Sequence, residues 1–418
     1  MKKYFIALSL CVGLMFGACS SETAEEPGVN ENTGNVSDPS DDDAGEITPF
    51  TVIELNGETR AAAVLNNSFA FNLLDKVRNS QENVVVSPLS VFSLLGMMAN
   101  GDDGVTRDEI LSVIGGSSAV SLDAINSYSE TMLENLPIVD RRSKCDVGNS
   151  IWLAPGMSLI SDFSTAASGF YKAQVFGTSP AGENGLDNIN NWIESSTDGQ
   201  IRNFLSFPLD GPFALVNTLC FKSGWAVAFD ESLDTRSDFT CADGALVKTK
   251  FMNNRLMANY LEDADNAGVE LMLGNGNYSI SFIMPKENNG TPFVDSRQFE
   301  SMLAGARLTD IRLSLPAFET SYRGNLRLAL QSMGLVDSKL NKSVENDVIL
   351  LNMILHGVSL SVDNGGVSGA AATLGGMAID SGVESAETLR LEFDRPFMFV
   401  VRETSTNTIL FTGCQNRF

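Results

Sequence analysis

The residue types that carry chemistry in enzymes are sparse in this sequence. Its 418 residues include a single histidine, His356, so neither a multi-histidine metal site nor an HExxH motif can form. His356 lies in the largely apolar segment 349–360, with no serine, cysteine or carboxylate immediately beside it. We therefore predict a core role for His356 rather than a role as a general base. There is also no GxSxG, GxxxxGK[ST] or GxGxxG motif, which disfavours a hydrolase or nucleotide-binding enzyme.

The cysteines and the acidic residues also lack the spacing of a metal-binding motif. Cys145, Cys220, Cys241 and Cys414 are scattered without a CxxC pair, which excludes a zinc ribbon, and they could be free or paired. The segment 263–265 begins like a calcium loop, but Ala267 and Gly274 stand where ligands belong. We therefore expect a plain turn there, no metal site, no cofactor and no catalytic residue.

The charge balance limits the partners. Lys plus Arg number 28 and Asp plus Glu 52, a formal net charge of −24. Nucleic acids and anionic lipid surfaces are bound by basic surfaces, so both classes of partner are disfavoured. Hydrophobic residues make up 43% of the chain, enough for a large folded core.

One segment is unusual for both a loop and a helix. Residues 364–379, NGGVSGAAATLGGMAI, carry no charge between Asp363 and Asp380, and nine of the sixteen are Gly or Ala. Five glycines oppose a helix, whereas small uncharged side chains are easily buried when every second one enters a sheet. About 15 such residues would extend roughly 50 Å. We interpret the segment as an exposed loop that can later insert into a sheet. The alternative, a flexible linker, would rarely include Val, Leu, Met and Ile.

The elements around this segment indicate an α+β fold. Helical spacing of apolar residues predicts helices over 66–79, 90–100, 106–114 and 187–196. Apolar or alternating runs predict strands over 213–221, 279–284 and 310–315, and a hairpin formed by 397–402 and 408–412. No linker divides residues 49–418, so we predict one large domain.

The N-terminal segment is predicted to be an export signal. Lys2 and Lys3 precede a short apolar run, and Phe16-Gly17-Ala18-Cys19 resembles a bacterial lipobox. This predicts a signal peptide over 1–18 and lipidation of Cys19. Residues 20–48 contain nine acidic residues and no Lys or Arg, so 19–48 is predicted to be a disordered tether. The expected location is extracellular, in the cell envelope of a bacterium, at the outer membrane or cell surface.

Eight blocks, in order along the chain, resemble the serpin family of serine protease inhibitors. They include NVVVSPLSVFSLLGMMANG at 83–101, LVNTLCFKSGWAVAFD at 215–230, the hinge segment 358–373 and the C-terminal 393–418. The remaining four are 149–153, 189–201, 313–318 and 330–337. The resemblance implies one α+β domain over 49–418, with three β-sheets, eight or nine helices and an exposed reactive-centre loop at about 364–392.

The resemblance also implies a mechanism. A serine protease, or a papain-like cysteine protease, attacks the loop as a substrate and forms an acyl-enzyme. The cut loop then inserts into the main sheet of the metastable fold and displaces the protease before deacylation. The expected partner is therefore the target protease, in a covalent complex, and the inhibitor is expected to be a monomer. The alternative is a non-inhibitory serpin that acts as a binding or structural module.

The family's functional positions transfer to named residues here. Ser87, Asn217 and His356 match the shutter, a hydrogen-bonded cluster beneath the sheet where it opens, and Trp225 matches the breach, where insertion begins. The hinge corresponds to eight consecutive residues: Gly366, Val367, Ser368, Gly369, Ala370, Ala371, Ala372 and Thr373.

The sequence departs from the family pattern in places. Asn364 stands where an acidic residue is usual, Gly357 replaces a lysine, and the stretch before Pro396 is several residues longer. Because of this extra length, the two ways of locating the reactive bond disagree. Counting forward from Gly366 by the family's usual spacing puts the bond at Asp380-Ser381. Counting back from Pro396 puts it near Ser385-Ala386, and bonds after Met377 or Ile379 are further alternatives. We prefer Asp380-Ser381 because insertion constrains the length of the inserting arm.

Overall fold

The computed structural model describes residues 49–115, 120–287, 292–337, 339–350, 354–368 and 388–418. The predicted signal peptide, Cys19, the tether, most of the hinge and every candidate reactive bond lie outside these residues. The described part contains eight α-helices. They are α1 (Gly57–Val77), α2 (Pro88–Asn100), α3 (Val105–Gly115), α4 (Leu122–Asn135), α5 (Ser161–Tyr171), α6 (Gly182–Ser196), α7 (Ser296–Ala304) and α8 (Arg327–Met333).

The first two helices begin at side-chain caps. Asn56 accepts hydrogen bonds from the amides of Glu58 and Thr59, so α1 starts nine residues earlier than the apolar spacing alone predicts. Ser87 accepts from the amide of Ser90, and Pro88 occupies the first turn of α2. Nearly all of α2 is buried, as a helix that is apolar on all sides must be.

Seventeen strands form three sheets among the described residues. The first eight are β1 (Val84–Val86), β2 (Lys144–Leu153), β3 (Gln174–Phe176), β4 (Phe213–Gly224), β5 (Thr235–Thr240), β6 (Leu246–Glu262), β7 (Asn266–Leu273) and β8 (Tyr278–Pro285). The others are β9 (Arg307–Pro316), β10 (Phe318–Asn325), β11 (Lys339–Leu340), β12 (Ile349–Leu350), β13 (Leu355–Asp363), β14 (Gly366–Val367), β15 (Leu389–Glu392), β16 (Phe397–Glu403) and β17 (Ile409–Gln415).

The largest sheet has nine strands, in the order β1-β17-β16-β8-β7-β6-β9-β15, with β5 paired to β6. The predicted C-terminal hairpin is present as the antiparallel pair β16–β17, which is buried throughout. A two-stranded sheet joins β11 to β12. The third sheet, order β10-β13-β14-β4-β2-β3, contains the functional region.

The six-stranded sheet has a core face and a face covered by α6. On β13, His356, Val358, Leu360 and Val362 are buried and alternate with half-buried residues, as the two-residue period of a strand requires. On the other face, Ile189 and Ile193 of α6 pack with Trp152 in a separate apolar cluster. The α+β architecture, with three sheets and eight helices, confirms the predicted fold class.

Candidate functional site at the loop insertion point

The first residues of the predicted hinge are already paired inside the six-stranded sheet. Val367 lies opposite Val362 of β13 on one side and Ser223 of β4 on the other. Gly366 lies opposite Asp363 and Gly224 in the same way. Val367 is 0% exposed, so its neutral, β-branched side chain is accommodated in the core. This two-residue strand, β14, places the beginning of the loop between β13 and β4.

Glycine is required at position 366 by both conformation and space. Gly366 has φ of +145°, in a region that side chains with a Cβ rarely adopt. A Cβ added there would lie 2.1 Å from the carbonyl oxygen of Ser223 on the neighbouring strand. The glycine therefore permits the close backbone approach that lets β14 enter the sheet.

Trp225, the predicted breach residue, anchors the turn before β14. Its indole Nε1 donates a hydrogen bond of 2.7 Å to the carbonyl oxygen of Asp363. The ring packs edge-on against Phe229, with centroids 5.3 Å apart, and the Trp225 backbone bridges to Leu273 of the nine-stranded sheet. Trp225 thereby fixes the end of β13 at the point where the chain turns into the hinge.

Asn364 joins a polar cluster that no local sequence pattern predicts. Its Nδ2 donates to Oδ1 of Asp234 over 3.0 Å, and Oδ2 of Asp234 lies 2.9 Å from Nζ of Lys250. Among the residues that the structure describes, no group donates a hydrogen bond to the buried Oδ1 of Asn364. The resemblance predicts an acidic residue at position 364. Asparagine fits this arrangement instead, because Asp234 already supplies the carboxylate that pairs with Lys250.

The structure brings two of the three predicted shutter residues into direct contact. The amide of Ser87 donates a hydrogen bond of 3.0 Å to Nε2 of His356, and His356 is 4% exposed. Burial lowers the pKa of the imidazole to about 4, so it is neutral at pH 7 and its Nε2 is an acceptor. A neutral, buried histidine that accepts from a backbone amide is suited to a structural role.

The third shutter residue has a different partner. Asn217 Nδ2 donates to Oδ1 of Asn149, which lies directly opposite on β2, over 2.6 Å. Asn149 Nδ2 in turn donates to the carbonyl of Tyr171 over 2.7 Å. No hydrogen bond between Asn217 and His356 occurs among the described residues. Asn217 therefore ties β4 to β2 and to the end of α5.

A buried chain of polar groups lies beneath the hinge and was also not predicted. The hydroxyl oxygens of Ser143 and Ser223 are 2.6 Å apart, and the Ser143 hydroxyl donates to Oδ2 of Asp140 over 2.6 Å. Asp140 accepts further from the amides of Arg142 and Asn275. These contacts join the β4 strand end opposite Val367 to two distant turns. No local sequence pattern could have revealed them.

The other end of the loop is also held in a sheet. β15 pairs in parallel with β9, so that Leu389 lies opposite Ile311 and Arg390 opposite Arg312. Thr388 donates to Oδ2 of Asp310 over 3.1 Å, and that carboxylate is paired with Arg255 over 2.7 Å. Arg255 holds the pKa of Asp310 below its usual value. The two ends of the loop are thus fixed in two different sheets.

Three further features bear on the predicted chemistry. The four cysteines in the described part are free and buried, and burial raises the pKa of Cys220 to about 11 and that of Cys414 to about 12.

Within the residues that the structure covers, no group of three or more His, Cys, Asp or Glu could hold a metal ion. The same residues include no helix both long and apolar enough to cross a membrane.

The family model for serpins, described as serine protease inhibitors, matches residues 64–416. The chain belongs to the serpin family. It is 26% identical over 372 residues to a serpin-like protein of Methanosarcina acetivorans, covering 84% of this chain and 85% of that protein. It is 28% identical over 369 residues to Iripin-2 of Ixodes ricinus, covering 84% and 92% of the two chains.

Solved serpin structures show the same fold. The thermophilic serpin tengpin in its native state has a TM-score of 0.77 to this protein and 25% identity, covering 89% of this chain and 97% of that one. Tengpin in its latent state has a TM-score of 0.73, also with 25% identity, covering 87% and 99%. The serpin family consists mostly of protease inhibitors rather than enzymes.

Proposed function

We propose that this serpin is an irreversible suicide-substrate inhibitor of serine endopeptidases, with papain-like cysteine proteases as further targets. The observation that carries the proposal is the position of Val367, which is fully buried and paired between β13 and β4. The sheet accepts the hinge at this point. The uncharged residues that follow Val367 in the sequence add no charge that would oppose further entry.

The chemistry would be supplied by the protease. The hydroxyl of a serine protease attacks the carbonyl carbon of the reactive bond while the protease's general base takes the hydroxyl proton. The C–N bond then breaks, and the protonated base gives that proton to the leaving amine. An ester joins protease and inhibitor, and water must hydrolyse it to release the enzyme. Insertion of the cut loop moves the protease and distorts its active site before water attacks. The free energy of strand insertion, withheld until cleavage, drives this step.

We propose Asp380-Ser381 as the reactive bond, which would select a protease that cuts after an acidic residue. The experiment combines the protein with a panel of proteases and separates the products on a denaturing gel. A covalent complex that survives SDS supports inhibition, and mass spectrometry of the released C-terminal peptide fixes the cleaved bond. Cleavage of the loop without a complex would instead support a non-inhibitory serpin.

We further propose that the protein is exported and anchored through lipidated Cys19. Metabolic labelling with a fatty acid in a bacterial host tests this directly. Label should enter the natural chain and be absent from the Cys19→Ala variant. Equal labelling of the two would contradict the anchor without affecting the proposed inhibition.

A further inference from the structure

A short connection after α6 is attached to both sides of the sheet opening. We call residues 199–205 the strap. At one end, Gln200 Nε2 donates a hydrogen bond of 3.1 Å to the carbonyl oxygen of Phe221 on β4. At the other end, Arg323 of β10 donates to the carbonyls of Arg202 and Asn203, over 2.7 and 2.9 Å. The strap therefore extends from β4, on one side of the insertion point, to β10 on the other.

A third contact holds the strap over β13. A Cβ added at Gly357 would lie 2.2 Å from a ring carbon of Phe204, so the aromatic ring rests directly on the glycine. Gly357 lies opposite Arg323 in the β10–β13 register, and residues opposite each other present their side chains to the same face. The absence of a side chain at 357, where the resemblance predicts lysine, makes room for Phe204.

The bond from Gln200 occupies a position that an inserting strand would use. Alternate residues of a strand direct their backbone groups to the same edge, so Phe221 faces the edge that Ser223 presents to β14. Continuing the observed register places the second residue after Val367 opposite Phe221. The side-chain amide of Gln200 thus stands in for a backbone donor of the strand that would follow.

Insertion would also change the distance that the strap bridges. Each added strand separates its neighbours by about 4.8 Å, which is more than a hydrogen bond can stretch. The Gln200 contact on β4 and the Arg323 contacts on β10 therefore cannot both persist. Release of the strap at either end would be sufficient for the sheet to widen, because the strap could then remain attached to the opposite side.

We infer that Gln200, Phe204 and Arg323 are positioning residues that set the rate of loop insertion. The inference rests on the proposed insertion mechanism. While both ends of the strap are attached, Gln200 occupies the carbonyl oxygen of Phe221. When one end releases, the edge of β4 at Phe221 becomes free and the sheet can widen.

The test measures insertion without a protease. The uncleaved protein is incubated below its unfolding temperature, and the appearance of a denaturant-resistant monomer is followed on urea-gradient gels. We expect Gln200→Ala and Arg323→Ala each to accelerate this conversion about three- to tenfold, as the loss of one or two hydrogen bonds allows. Gln81→Ala and Arg141→Ala, at exposed positions away from the strap, are matched controls and should convert at the natural rate.

Two further variants sharpen the result. Gly357→Ala should also accelerate conversion, because the new methyl group displaces Phe204 without removing a hydrogen bond. The double variant Gln200→Ala with Arg323→Ala should be accelerated by less than the product of the two single effects, since one release suffices. Unchanged or slower conversion in all three single variants overturns the inference, as does the absence of conversion in every variant.

The test of the strap and the test of the proposed inhibition can fail independently of each other. The conversion rate requires no target protease, so a failure to form covalent complexes leaves the measurement valid. If cleavage of the loop by a non-specific protease gives no gain in thermal stability, the insertion mechanism itself fails. If the cleaved chain is stabilised but the variants convert like their controls, only the role of the strap fails.

Discussion

The amide of Ser87 is hydrogen-bonded to Nε2 of His356 over 3.0 Å, and both residues are buried. Ser87 is the cap of α2, and His356 lies near the start of β13. The pair therefore connects a nearly fully buried helix to the strand that forms one side of the insertion point. Protonation of Nε2 would remove the acceptor and place a charge in the core.

This pair predicts a loss of stability on acidification. The pKa of His356 is lowered to about 4 in the folded protein, whereas an unfolded histidine titrates near 6.5. The unfolded state therefore binds the proton first, and stability falls as the pH decreases from 6.5 towards 4, by about 3 kcal/mol in total. Above pH 6.5 this contribution is constant.

The measurement compares denaturant midpoints between pH 7.5 and 4.5 for the natural protein and His356→Gln. The neutral glutamine removes the histidine's titration, so the variant should show a shallower decline over this interval. Carboxylate titration is common to both proteins and cancels in the difference. If the denaturant midpoints of the two proteins fall equally with pH, His356 does not contribute to the pH dependence of stability.

The burial of Val367 predicts the effect of a charge in the hinge. Val367→Arg would place a guanidinium in the core opposite Ser223, at a desolvation cost of several kcal/mol. We expect the loop to be cleaved while the covalent complex is lost, so that the variant becomes a substrate. Val336→Arg is the control, because Val336 is 66% exposed. Retained inhibition by Val367→Arg would contradict insertion through the hinge.

Gly366 predicts a second, independent defect. Gly366→Ala combines an unfavourable φ with a methyl group 2.1 Å from the Ser223 carbonyl, which should displace β14 from the sheet. We expect the partition between complex and cleaved product to shift at least severalfold towards cleaved product. Gly177→Ala, with open space around its Cβ, should inhibit normally. Inhibition of equal efficiency by both variants would argue against the observed pairing.

The Glu270–Arg402 pair predicts a large effect on stability away from the hinge. Both side chains are buried, Arg402 Nε donates to Glu270 Oε1 over 3.1 Å, and Ser279 and Asn259 donate to the same carboxylate. Glu270→Gln leaves Arg402 buried without its counter-charge, at a cost of about 3–5 kcal/mol.

The control for this pair is Glu262→Gln. Glu262 pairs with Arg307 and Lys286 near the surface, where the expected loss is below ~1 kcal/mol. Denaturant midpoints at pH 7 measure both variants. Similar losses for the two would show that burial of the pair does not determine its contribution.

Much of the functional region could be inferred from residue types alone. The small, uncharged residues that begin at Asn364 predict a segment that can enter a sheet, and the structure has Gly366 and Val367 paired in one. The apolar residues that flank His356 in the sequence likewise predict its position in the core, because a largely apolar segment is typical of buried structure. The helix starts were less accurate, because the cap at Asn56 rather than the apolar spacing determines where α1 begins.

The sequence by itself determined the family, the α+β class and the residues at which the loop enters the sheet. Only the tertiary structure decided that Asn217 bonds Asn149, that Ser223 joins Ser143 and Asp140, and that the strap is attached at both ends. The reason is physical. Arg323 and Asn203 are separated by 120 residues, and such contacts depend on how the strands align in space, whereas burial and capping follow from neighbouring residues.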